Sequence, residues 1–138
     1  MRMQRKLMCL GLAAAVLAAT ACSKDKEVLA FVGDLDSFST EIVKKVKGGA
    51  NPGAGVDAAQ AYLDQNKTSI KQKLAAIKEV RGFQISEDTK KKVETSLMNS
   101  ASAVAGLELE YVGQMATNPA FRAKLEKLVG DYRSVLSD

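Results

Sequence analysis

The sequence predicts an all-α fold, a small antiparallel bundle of about four helices that follows a cleaved N-terminal signal. Three observations predict it. Apolar side chains recur at three- and four-residue spacing through most of the chain beyond residue 34. Cap and stop residues fall where those patterns begin and end. No second strand is evident to pair with the one short apolar run, Val28-Leu29-Ala30-Phe31-Val32, and no internal repeat is visible.

The first helix is expected over about 35–47. Asp34 or Asp36 can cap its start, and Leu35, Phe38, Ile42 and Val46 form one stripe. Lys44, Lys45 and Lys47 suit its last turn, where the helix dipole favours cations, and Gly48-Gly49 stops it. Residues 48–56, Gly-Gly-Ala-Asn-Pro-Gly-Ala-Gly-Val, read as a loop. Their glycines do not follow the order or context of a phosphate-binding loop.

A second helix is expected over about 58–81, with Asp57 and Gln60 as a cap pair and Tyr62, Ile70, Leu74 and Ile77 on its buried side. A third, about 87–117, is capped by Ser86 and striped by Val93, Leu97, Ala101, Val104, Tyr111 and Met115. Small residues over 99–106 would let another helix approach, with Gly106 costing about 1 kcal/mol in the helix interior. Asn118-Pro119 opens the fourth, about 119–136, striped by Phe121, Leu125, Leu128, Tyr132 and Val135. Short connections predict that the second, third and fourth helices run antiparallel to their neighbours, with the first more loosely attached.

The N-terminus has its own logic. Arg2, Arg5 and Lys6 precede an apolar stretch from Leu7 to Ala21, which Ser23-Lys24-Asp25-Lys26-Glu27 ends abruptly. The stretch falls short of the roughly 20 residues that span a bilayer, so it reads as an export signal. Its end, Ala19-Thr20-Ala21-Cys22, resembles the lipobox of bacterial lipoproteins, although that family prefers leucine where Ala19 stands. The resemblance covers residues 1–22. It implies cleavage between Ala21 and Cys22 and lipid on the Cys22 thiol. Ser23, rather than Asp, after that cysteine implies the outer membrane in a two-membrane host. Two or three acyl chains make such an anchor effectively stable, since one buried methylene contributes about 0.8 kcal/mol. The chain thus divides into a signal (1–21), a lipidated N-terminus and tether (22–33) and a helical domain (34–138).

The formal charge of +4 falls to +1 once Arg2, Arg5 and Lys6 leave with the signal, so basicity is no argument for nucleic acid. The chain has no histidine, and its two cysteines are Cys9 in the signal and Cys22. No thiol or imidazole remains in the domain for a nucleophile or metal, so the expectation is a non-enzyme without cofactor or metal. Glu108 and Glu110, two apart on a helix, point to different faces. Ser69 with Lys73 and Ser23 with Lys26 have the spacing of ordinary solvated side chains. Lys67, Lys71 and Lys78, with Lys90, Lys91 and Lys92, are the candidate surface for an anionic partner. The expected function is a lipid-anchored binding or adaptor module of the cell envelope, held to the membrane through Cys22 and facing an envelope protein. The alternative is a carrier of a small ligand or lipid in a cavity among the last three helices.

Overall fold

The first helix begins well before its expected position. In a computed structural model that describes residues 23–137, α1 spans Asp25–Gly48 and takes in the whole segment 28–33. Val28 and Phe31 join Leu35, Phe38, Ile42 and Val46 on one buried face. Leu29, Ala30 and Val32 are apolar too, and they mask that periodicity in the sequence. The expected tether 22–33 is therefore corrected: among the described residues only Ser23 and Lys24 precede the helix.

The second helix, α2, spans Pro52–Lys78 rather than starting at Ala58, so most of the expected loop 48–56 is helical. Its cap is Asn51, whose side-chain oxygen accepts from the Ala54 N–H at 2.9 Å, with Pro52 in the first turn. Asp57, expected to cap, pairs instead with Lys124 at 2.6 Å. The glycines serve a close approach. A Cβ on Gly55 would stand 2.2 Å from the Val46 carbonyl oxygen, and one on Gly49 would stand 2.3 Å from the Gly55 nitrogen. Their absence lets α1 and α2 reverse direction through residues 49–51 alone.

A 3-10 turn at Gly82–Gln84 leads into α3, Glu87–Glu110. Ser86 caps α3 by accepting from the Thr89 N–H at 3.2 Å. The single helix expected over 87–117 is interrupted at Tyr111 (φ −103°, ψ 15°), and a short α4, Val112–Thr117, follows. The Tyr111 ring packs on Phe121, with centroids 5.6 Å apart. Then α5, Pro119–Ser137, starts at Asn118, whose side chain accepts from the Phe121 N–H at 3.0 Å. Its five expected stripe residues are all buried.

The helices form an all-α bundle in which α1 and α5 each pack on both α2 and α3. The loose attachment expected of the first helix is thus reversed, because α1 has a second face for α3. At one end of the bundle, its base, the Asp25 carboxylate accepts from the Ser86 N–H at 2.8 Å. At the far end Lys47 pairs with Glu110 at 2.7 Å. So α1 and α3 run parallel. The helices α2 and α3, consecutive in the chain and opposite in direction, stand at diagonal corners rather than side by side. The connection 79–86 crosses beneath the start of α1.

Two kinds of packing hold the bundle. Towards α2 and α5 the contact is apolar: Leu35, Phe38, Leu63, Leu107, Leu125, Leu128 and Tyr132 are buried, each contributing about 1.5–3 kcal/mol if fully removed from water. The Phe38 ring centroid lies 5.8 Å from those of Tyr62 and Tyr132. Between α1 and α3 the seam is polar, and Ser39, Thr89, Ser96 and Ser100 are its buried members. The Ser96 hydroxyl donates to the Asp36 carboxylate across it. The expected α3 stripe is rotated accordingly: Val104 is buried, but Val93, Leu97, Ala101, Tyr111 and Met115 are half-buried while the serines turn inward. No helix of the described residues is long and apolar enough to cross a membrane.

Candidate functional site

The base of the bundle is the best-defined candidate. Three short contacts build it. The Lys24 N–H donates to the Gln84 carbonyl at 2.8 Å, the Arg81 N–H to the Gln84 side-chain oxygen at 2.8 Å, and the Ser86 N–H to Asp25. The Ser86 N–H bond holds the Asp25 carboxyl below the usual carboxylate range. Arg81 and Ile85 are extended on either side of the 3-10 turn, which projects Phe83 outward. That ring is 86% exposed, the largest exposure among the big apolar side chains described.

The six lysines expected to form one anionic-partner surface do not gather there. Lys78 and Lys90 reach the base, Lys78 at the end of α2 and Lys90 beside Gly82 with its ammonium on Glu87. Lys67 lies eleven residues up α2 from Lys78, roughly 16 Å at helical rise. It is held by Asp64 at 2.7 Å, and that contact raises the Lys67 pKa and lowers the Asp64 one. Lys71, one turn from Lys67, is engaged as well. Lys91 and Lys92 line an open groove of about 300 Å³ between α1 and α3, with Asp36, Thr95 and Asn99. A wider groove of about 530 Å³ continues it past Thr40, Val43 and Ala103.

The other candidate groups are committed to structure. Lys73, matched by spacing with Ser69, pairs with Asp34 on α1 at 2.7 Å. Glu108 faces Arg133 at 3.5 Å and Glu110 faces Lys47, so both carboxylates link helices. The hydroxyl cluster of the seam is not activated either. Ser39 donates its proton to the Leu35 carbonyl at 2.7 Å, and burial pushes the Tyr132 phenol up rather than down. Among the described residues no group of three or more His, Cys, Asp or Glu is placed to hold a metal ion. Leu63, Val104, Leu125, Leu128 and Tyr132 are buried among α2, α3 and α5.

Ala21 and Cys22, the expected cleavage and lipidation positions, lie outside the described residues. What sequence reasoning missed is Phe83. The signal was present: it is an aromatic residue on no stripe, set in a short connection between Gly82 and Ser86. A second feature missed is the apolar face at the far end, where Leu109 is 80% and Val112 63% exposed. No family model, curated protein or solved structure matches the chain.

Proposed function

We propose that the chain is a lipid-anchored, non-enzymatic adaptor of the cell envelope, acylated on Cys22 and presenting its far end to another envelope protein. The observation that carries the reading is the polarity of the bundle. The chain enters at the base through Ser23 and Lys24, and the exposed pair Leu109 and Val112 lies at the opposite end of α3, about 36 Å away along a helix of this length. Anchored at Cys22, the domain directs that pair away from the bilayer, where a partner can cover it. Ser23 after the acylated cysteine supports the outer membrane in a two-membrane host.

Two variants test the two halves of the reading. Cys22→Ser should abolish metabolic labelling by fatty acid and move the protein out of the membrane fraction. Retained labelling would overturn the anchor. Leu109→Lys with Val112→Lys should leave fractionation unchanged and remove the protein's crosslinked adduct from intact envelopes. An unchanged adduct, or none for the wild type, would overturn the adaptor assignment.

A further inference from the structure

We propose that the base of the bundle docks flat on the lipid surface, with Phe83 inserted into the interfacial layer. This rests on the anchor reading above and adds an orientation and a contact to it.

The argument is one of reach. Cys22 is two residues from Lys24, and two residues of fully extended chain span only about 7 Å. Lys24 is not free to swing away, because its N–H is bonded to the Gln84 carbonyl, next in sequence to Phe83. Asp25, the first residue of α1, is fixed to Ser86 on the other side of the same turn. A lipid on Cys22 therefore brings the Phe83 turn to the bilayer as a rigid unit. The headgroup layer of one leaflet is itself roughly 5–8 Å deep, so a leash of this length cannot hold the base clear of it. Among the described residues the one exposed large apolar side chain at this end is Phe83, 86% exposed and without a packing role in the core. Phenylalanine in that setting is favoured at the boundary between headgroups and acyl chains.

Charge decides what kind of lipid surface fits. Lys24 with Glu27 and Lys90 with Glu87 are local pairs. Lys26, Lys78 and Arg81 have no ion pair among the described residues, and neither does Glu79 or Asp88. The excess of positive charge is small. Docking is therefore apolar and leash-driven, and it does not depend on anionic headgroups.

The chain contains no tryptophan, so one introduced residue reports on one place. The lipidated full-length product, carrying either Phe83→Trp or Leu109→Trp, is reconstituted into phosphatidylcholine vesicles with brominated acyl chains. Both positions are exposed, so the core is untouched; circular dichroism checks the helix content. With both proteins floating with the vesicles, Phe83→Trp should be blue-shifted and quenched several-fold more strongly than Leu109→Trp, at low and high salt alike. Equal absence of quenching in floating protein would overturn the docking while leaving the anchor. Equal quenching of both would mean that the bundle lies on its side, which also overturns it. If neither protein floats, the anchor reading fails and the docking falls with it.

Discussion

The Tyr132 hydroxyl meets the Ser39 oxygen at 2.5 Å, and Tyr132 is the donor, because Ser39 gives its own proton to the Leu35 carbonyl. One bond thereby ties α5 to α1 through a buried pair. Tyr132→Phe should cost about 1 kcal/mol, the net value of a typical hydrogen bond, measurable as a lower urea midpoint with unchanged slope.

The same residue predicts alkaline sensitivity. Burial raises the folded-state pKa of Tyr132, with Ser39 and Ser100 opposing it. The phenol ionises in the unfolded chain from about pH 10, before it does so in the fold. Its contribution is thus intact below that pH and lost as pH rises through the folded value. Between about pH 9 and 11, the wild type should lose stability more steeply than Tyr132→Phe. Parallel decline would assign the loss to other groups, such as Tyr62, whose phenol is also raised by burial.

Glycines in this chain divide by what surrounds them. Gly55→Ala would put a methyl carbon into the Val46 carbonyl, so forced repacking should destabilise by about 1–3 kcal/mol. At Gly33 and Gly106 nothing lies within 4 Å of where a Cβ would stand. Alanine there should stabilise by about 0.5–1 kcal/mol, through helix propensity and a less mobile unfolded chain. Thermal melts of the three variants should therefore shift in opposite directions.

Asn51 and Asn118 are equivalent caps, each accepting the N–H three residues on beside a proline. Replacing either by Ala should cost about 1 kcal/mol in urea unfolding, and replacing both should be close to additive if the caps act independently.

Asp25 carries the acid side. Its lowered pKa arises first from the Ser86 N–H. The stability it adds is present above the ordinary carboxylate range and lost as pH falls through the lower folded value. Asp25→Ala should leave the core intact and speed amide exchange at Ser86, read by hydrogen exchange near neutral pH.

The helical class and most of the core were legible in the sequence because the apolar stripes of α1 and α5 are narrow and regular. Three places were not. At 28–32 every residue is apolar, so a helix face could not be told from a strand. At 48–56 glycine content suggested a loop, whereas Gly49 and Gly55 answer to a backbone approach between two helices. In α3 the buried positions include serines, whose inward turn depends on partners sixty or more residues away, such as Asp36 for Ser96 and Ser100. Of the candidate site, the sequence offered Lys78 and Lys90 only as members of a six-lysine surface, and that they share one end of the bundle with Phe83 follows from where α2 ends and α3 begins.

The polar seam has a kinetic consequence. The hairpin of α1 and α2 closes through three residues, while α3 reaches α1 only after a much longer stretch of chain. Local pairings form early and distant ones late. During that interval the face of α1 awaiting α3 shows Asp36, Ser39 and Thr40 to water rather than an unbroken apolar strip. A half-built bundle is therefore less prone to stick to another copy of itself, the hazard that exposed hydrophobic surface brings to slow assemblies.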